Sequence, residues 1–412
     1  MKNNILKESF WSFFGQFISV ICIVLGVRVI TEYVSPIHYG EYIIFSGICL
    51  LIFNTVSGSI FQAFLRIIPE KDDDISYNKS ILLSSNIVFL FGFIGLFALL
   101  LSVLMESDSL FLIFIFFTYL ISEHFVALFK TFMNIKREQK KFAFFQIFIS
   151  IMRPLLAVLL YIYYENNFIS ILYGFSLANL FVSFIFFGKN IIKSFIQAYH
   201  TKFDLNDFSE FFNFSKPLVF QKIFGWSLSN MDKYIIAFFL GTTTVGQYAP
   251  VVSLVSMLYL TASAAIELIF RPYYFKYVGS NRINASKKIL KIYALCLFFI
   301  SIIFITIFFL FSKQIVFLLL GQNFRDYYYL APMISIGFSF LIFGYLFENI
   351  CFAYKKTWKV FKIEGIAAIT NIVILPIMIY NFGINGIPVA IVFTYVIHFV
   401  SGFMISIKLL KQ

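Results

Sequence analysis

Acidic and basic side chains stand inside stretches of this sequence that are otherwise apolar. Asp232 and Lys233 are adjacent in N-M-D-K-Y-I-I-A-F-F-L, and Lys222 precedes Lys233 by eleven residues. Eleven residues make three helical turns plus about 20°, so both ammonium groups would share one helix face, about 16 Å apart. Such a pair of cations is suited to compensating an anionic ligand in a cavity. The alternatives are snorkelling to the interface for Lys222 and an ion pair with Asp232 or another acid for Lys233.

A third basic residue, Arg153, precedes Pro154 near the middle of another apolar stretch. Proline removes a backbone hydrogen bond and bends a helix, and a guanidinium at such a bend usually faces a cavity. Contact with an anionic ligand is therefore expected for Arg153. The alternative is a structural salt bridge.

Four acidic residues also fall within apolar stretches. A carboxylate in a membrane cavity can take up H⁺ or Na⁺ and couple transport to the ion gradient. For Glu267 a helix-end pair with Arg271, at i and i+4, is favoured instead. The candidates for ion coupling are Asp232, Glu123, Glu267 and Glu348.

The elements that position these residues follow from the composition. Of 412 residues, 60% are hydrophobic and 13% are charged, whereas soluble domains carry roughly 25% charged residues. The chain is therefore predicted to be an all-α polytopic membrane protein with twelve transmembrane helices. The predicted spans are 6–30, 42–68, 80–104, 110–130, 142–164, 168–188, 217–240, 245–271, 289–311, 331–354, 360–380 and 386–408.

The distribution of Lys and Arg predicts the orientation of these spans. Most of the 32 basic residues fall in segments on the same side as the N-terminus, and the positive-inside rule places that side, and both termini, in the cytoplasm. The net charge of +12 is then explained by anionic membrane lipid, with no nucleic-acid partner.

Two pairs of similar segments indicate an internal repeat. Y-G-E-Y at 39–42 follows the first span, as V-G-Q-Y at 245–248 follows the seventh, and basic stretches at 134–142 and 353–361 follow the fourth and tenth. The predicted organisation is two pseudo-symmetric six-helix bundles, 1–188 and 217–412, joined by a polar cytoplasmic linker at 189–216.

Four motifs resemble the polysaccharide branch of the multidrug/oligosaccharidyl-lipid/polysaccharide (MOP) exporter superfamily. They cover both halves of the chain, and Pro388 departs from the small residue usual at its position. The motifs are G-V-R-V-I-T-E-Y-V-S-P-I-H-Y-G-E-Y at 26–42, K-P-L-V-F-Q-K-I-F-G-W-S-L-S-N-M-D-K-Y-I-I at 216–236, L-G-T-T-T-V-G-Q-Y at 240–248 and Y-N-F-G-I-N-G-I-P-V-A at 380–390.

The resemblance implies a MATE-like fold and a Wzx-type flippase. Such a protein carries undecaprenyl-diphosphate-linked oligosaccharides, for O-antigen, lipopolysaccharide or capsule, across the bacterial inner membrane. It implies a polysaccharide polymerase as partner, and no cofactor is expected. Arg28 and Arg66 join Arg153, Lys222 and Lys233 as candidates for a cationic cavity, although positions near the span ends favour interfacial anchors.

Two other functions remain open on the sequence alone. A drug or metabolite antiporter of the same superfamily would rely on carboxylates, whereas the basic residues here favour an anionic cargo. A membrane polysaccharide polymerase or ligase would need a large outer loop for its acceptor. The longest outer loop, about 312–330, is short, and no nucleotide, metal or nucleophile motif occurs. The chain is therefore not expected to be an enzyme.

Overall fold

The described chain is built from thirteen α-helices. The structure, a computed structural model, describes residues 2–71, 74–105, 108–199 and 205–410. The first half contains α1 (Lys2–Tyr33), α2 (Pro36–Phe53), a π-helical turn (Asn54–Gly58), α3 (Ser59–Lys71), α4 (Asp74–Met105), α5 (Asp108–Ile135), α6 (Gln139–Tyr163) and α7 (Phe168–Tyr199). The second contains α8 (Leu205–Leu240), α9 (Thr242–Gly279), α10 (Ile283–Leu319), α11 (Ala331–Ala353), α12 (Thr357–Phe382) and α13 (Gly386–Leu410).

These helices confirm the predicted all-α membrane fold. Among the described residues, ten segments are long and apolar enough to cross a membrane. One of them, Thr357–Leu410, contains both α12 and α13, which pack against each other on either side of a short 3₁₀ turn. Another of the ten, Pro36–Pro69, contains α2 and most of α3, whereas α8 is not among the ten segments. Separating α12 from α13 and adding α8 gives the predicted twelve.

Several helix ends differ from the predicted span ends. α9 continues through Pro272 to Gly279, beyond the predicted span end at 271. α10 begins at Ile283 rather than near 289. Hydropathy detects the apolar centre of a helix, whereas the backbone hydrogen bonds extend into polar turns beyond it.

The chain divides into two compact units. The first comprises Met1–Val34 and Ile44–Ile223, and the second comprises Ser35–Ile43 and Phe224–Gln412. The division therefore falls within α8, and the turn into α2 is grouped with the second unit. Residues 200–204 of the segment predicted as a linker lie outside the described residues, and the assignment of 189–216 to the cytoplasm remains a prediction.

The two glycines of the repeated Y-G-E-Y and V-G-Q-Y motifs pack against each other within the second unit. A Cβ atom on Gly246 would overlap the carbonyl oxygen of Pro36, and one on Gly40 would overlap that of Thr242. Only glycine permits two helix backbones to approach this closely. The repeat seen in the sequence therefore marks the contact at which α2 and α9 begin.

Three of the turns on the predicted cytoplasmic side end a helix in the same way. Arg137, Asn281 and Lys355 all have positive φ angles, of 56°, 53° and 56°. In each turn the following N–H donates to a carbonyl five residues earlier, as in Glu138 to Met133, at 2.9 Å. This Schellman-type ending satisfies the last carbonyls of the helix.

Candidate functional site

Lys233 and Asp232 lie on the buried part of α8 in the second unit. Their side chains are 14% and 10% exposed, and the ammonium nitrogen is 3.6 Å from Asp232 Oδ1. Lys233 Nζ donates to the carbonyl of Ser229 at 2.9 Å and to Asn230 Oδ1 at 3.1 Å. The lysine is thus held mainly by its own helix, and its ion pair with Asp232 is long.

The Asp232 carboxylate is only partly satisfied. Oδ2 accepts a hydrogen bond from the Tyr248 hydroxyl at 2.9 Å. Oδ1 has no hydrogen-bond partner within the described parts of the chain, and the same holds for the buried hydroxyl of Thr394. Because buried polar atoms usually have a partner, these two mark a place for an ion, a proton or a water molecule.

Both atoms belong to residues that line one polar cavity inside the second unit. Its volume is about 120 Å³, which is room for about four water molecules at roughly 30 Å³ each. The cavity therefore has room for a small ion or a phosphate group. Its polar lining residues are Ser229, Asp232, Lys233, Ser253, Ser256, Tyr345, Asn371, Thr394 and Tyr395.

Arg153 and Glu123, which the sequence singled out separately, are partners in the first unit. The guanidinium Nη2 lies 2.7 Å from Glu123 Oε1, with side chains 28% and 12% exposed. Asn179 joins both groups: its Oδ1 accepts from Arg153 Nε at 2.8 Å, and its Nδ2 donates to Glu123 at 3.0 Å. The charge of Arg153 is therefore already balanced by a carboxylate.

Next to this cluster, His124 is held by two serines. Its Nε2 lies 2.6 Å from the Ser84 hydroxyl and its Nδ1 lies 2.9 Å from the Ser57 hydroxyl. Ser57 belongs to the π-helical turn between α2 and α3, and such turns occur often at functional sites. Hydropathy alone gave no sign of this turn.

The other candidate acids in the second unit also have partners. Glu267 and Arg271 form the ion pair that their spacing predicts, at 2.7 Å. Glu348 Oε1 lies 2.8 Å from Nε2 of the fully buried His398. His398 is not among the residues predicted from the sequence, although a polar residue within an apolar span is itself a signal for function.

Three basic candidates remain: Lys222, Arg66 and Arg28. Lys222 is half-buried in the first unit, and Arg66 is exposed on α3. Arg28 pairs with Glu32 one turn later, at 2.7 Å, and both side chains are substantially exposed. The arrangement at Arg28 fits the interfacial anchor favoured from the sequence.

Comparison with known proteins identifies the family of this chain. The family model described as "Polysaccharide biosynthesis protein" matches residues 29–329. No curated protein sequence matches the chain.

Solved structures with the same fold are membrane transport proteins. "Lipid II flippase MurJ, inward closed conformation" matches with a TM-score of 0.70 and 18% identity, over 98% of this chain and 87% of that one. An inward-facing "multidrug resistance MATE family transporter of the MOP superfamily" matches with a TM-score of 0.70 and 14% identity, over 96% and 94%. A mutant of the Vibrio cholerae MATE transporter VcmN matches with a TM-score of 0.62 and 12% identity, over 99% and 97%.

The family match covers most of the chain and agrees with the motifs that carried the resemblance, while the structural matches establish the fold. The chain is a multi-pass membrane protein that belongs to the polysaccharide biosynthesis protein family, with the fold of the MOP superfamily.

Proposed function

We propose that this protein is a flippase for polyprenyl-diphosphate-linked oligosaccharides, of the undecaprenyl type used for O-antigen, capsule or similar polymers. The observation that carries the proposal is the polysaccharide-family match over residues 29–329 on the fold of a MOP transporter. MurJ, a structural neighbour, is described as a lipid II flippase. A lipid-linked saccharide is therefore the cargo class that agrees with both comparisons.

The basic residues inside the spans support an anionic cargo. A charge at the bilayer centre costs roughly 2.5–3.5 kcal/mol on insertion scales, so it is retained where it has a function or a partner. Lys233 has a long ion pair and lines a polar cavity, and it is the residue we assign to the diphosphate. We place Lys222 and Arg153 as further cargo contacts, with Arg153 also serving its pair with Glu123.

The size of the cavity limits what Lys233 can hold. A volume of about 120 Å³ admits one phosphate group or a hydrated ion, so recognition here is of the headgroup charge. We assign recognition of the sugars to other parts of the protein. Different glycans on the same lipid diphosphate should therefore respond alike to changes at Lys233.

The proposed mechanism is alternating access of two six-helix halves, in the bacterial inner membrane, with both termini in the cytoplasm. Asp232 lies beside Lys233, and its Oδ1 accepts no hydrogen bond from any described residue. Binding of a cation or a proton there would change the charge facing the diphosphate and so couple its release to the ion gradient. A polysaccharide polymerase on the outer face would use the delivered substrate.

A second candidate is an ion-coupled drug antiporter, which the similarity to MATE transporters favours. Buried carboxylates at Asp232 and Glu348 would then hold cationic compounds. The two candidates differ in the sign of the cargo charge: an antiporter of cations needs the acids and tolerates loss of Lys233, whereas the flippase needs the lysine.

Deletion of the gene in its host tests the proposed function. We expect surface polymer to disappear and lipid-linked repeat units to accumulate on the cytoplasmic side, because synthesis continues without translocation. Surface polymer is measured by immunoblot, and the lipid-linked repeat units are measured by mass spectrometry of extracted lipids. Unchanged polymer together with a new drug sensitivity would favour the antiporter instead.

A further inference from the structure

The π-helical turn at Asn54–Gly58 divides one membrane segment into two parts that are packed differently. After the turn, α3 contributes apolar side chains to a buried cluster that also contains residues of α4, α5 and α8. The members from α3 are Phe61, Ala63, Phe64, Ile67 and Ile68. Between residues 44 and 53 of α2, in contrast, Cys49 is the one apolar side chain that is buried. The packing therefore holds α3 more firmly than the part of α2 before the turn.

Hydroxyl groups already bind backbone carbonyls around this turn. A π-helical turn spaces its hydrogen bonds over five residues rather than four, so the regular helical pattern is interrupted there. Lipid offers no donor to a carbonyl that loses its helical partner. Thr55 Oγ1 donates to the carbonyl of Leu51 at 2.9 Å. Ser59 Oγ donates to the carbonyl of Asn54 at 3.2 Å. The turn can therefore exchange backbone hydrogen bonds without leaving these carbonyls bare.

The helix α8 fixes the α3 side of the turn. Ser215 Oγ donates to the carbonyl of Ser59 at 3.2 Å. One turn earlier on α8, the ring of Phe211 packs edge-to-face on Phe64, with centroids 5.3 Å apart. A change of shape at the turn would therefore displace α2 while α3 stays in place.

His124 of α5 holds the turn itself. Its Nδ1 lies 2.9 Å from the Ser57 hydroxyl, and its Nε2 lies 2.6 Å from the Ser84 hydroxyl of α4. The ring also packs against Phe61, with centroids 4.9 Å apart. Each ring nitrogen can make one hydrogen bond, so one nitrogen holds the turn and the other anchors the ring to α4. The imidazole thus fixes the turn through the hydroxyl of Ser57.

We propose that the π-helical turn is a joint at which α2 bends relative to α3, and that His124 is the positioning residue that holds the joint in the present state. The joint follows from the geometry of the first unit, whereas its use in translocation rests on the proposed transport function. Release of Ser57 from the imidazole frees α2 to move. The segment then changes shape without unfolding, because side-chain hydroxyls keep the carbonyls satisfied.

Distances between two spin labels across the turn test the joint in the full chain in lipid. The labels are introduced as unnatural amino acids at Ile48 of α2 and Leu65 of α3, whose side chains are exposed. We expect Ser57→Ala to raise the population of a second distance about fivefold or more, because a hydrogen bond that holds the turn is lost. Ser84→Ala is the matched control. Its hydroxyl is also buried against the same ring, but the bond from the ring to the turn remains, so the distances should equal those of the wild type.

Deletion of Val56 tests whether transport needs the joint. Removing one residue from this five-residue turn allows regular α-helical bonding with both flanking helices in register. The Val56 side chain is 38% exposed, so little core packing is lost. We expect the shortened chain to reach the membrane, to give one narrow distance and to move lipid-linked saccharide at least about tenfold more slowly. Val56→Ala keeps the chain length and should behave as the wild type.

The outcomes separate the joint from the transport function. Distances in Ser57→Ala that equal those of the wild type would overturn the joint. Full translocation by the shortened chain would contradict its use in transport. A wild-type chain that moves no lipid-linked saccharide, but whose distances respond to Ser57→Ala as expected, would contradict the flippase and support the joint.

Discussion

Replacement of Lys233 by methionine should lower polymer export about tenfold or more while the protein remains in the membrane at near-normal abundance. A hydrogen bond to a charged group contributes about 1.5–3 kcal/mol, and each 1.4 kcal/mol is about a factor of ten in rate. Methionine keeps much of the length of the side chain and removes its charge. Export is measured by complementation of the deletion strain, with abundance measured by immunoblot.

Two further variants separate cargo binding from a structural role. Lys233→Arg keeps the charge with a different geometry and should retain part of the export. Asp232→Asn together with Lys233→Met removes both charges, so it should restore abundance if the single variant destabilises the fold, but not export. Full export by Lys233→Met would remove the lysine from the cargo site.

Replacement of Arg153 by methionine should strongly destabilise the protein. The change leaves Glu123, 12% exposed, without its cation, and breaking a buried pair costs about 3–5 kcal/mol. We expect a lower melting temperature in detergent and lower abundance in the membrane. The melting temperature is measured by thermal unfolding with fluorescence detection, and the abundance is measured by immunoblot.

The double variant Arg153→Met with Glu123→Gln distinguishes a role of Arg153 in stability from a role in binding the cargo. With neither charge present, most of the lost stability should return. Export should remain reduced, because we propose that the partly exposed guanidinium contacts the diphosphate. Normal export by a stable double variant would show that Arg153 has a structural role only.

Much of the fold follows from sequence because the bilayer requires long apolar helices. The pair of Glu267 and Arg271 was predictable for a related reason: both partners lie on one helix at a fixed spacing. Arg153 with Glu123, and Glu348 with His398, each join different helices 30 and 50 residues apart. Such pairs depend on how helices pack, which hydropathy and local spacing do not determine.

The same limit applies to the details around the sites. The π-helical turn at Asn54–Gly58 has the small and polar sequence N-T-V-S-G, but such a composition does not distinguish a π-helical turn from an ordinary helical turn. The partly paired state of Asp232 depends on Tyr248, whose distance from it in the sequence carries no signal. The sequence thus indicates which polar residues lie within the apolar spans, while the packing of the helices determines their partners.

Translocation by the purified protein in liposomes is the most direct test of the central claim. The probe is a fluorescent oligosaccharide on a polyprenyl diphosphate, placed in both leaflets, with a membrane-impermeant reductant bleaching the label outside. The account predicts that the wild-type protein lets the reductant bleach nearly all of the label. With Lys233→Met the inner-leaflet half should bleach at least about tenfold more slowly, and in protein-free liposomes that half should stay protected. Equal protection with wild-type, variant and empty liposomes would contradict the account.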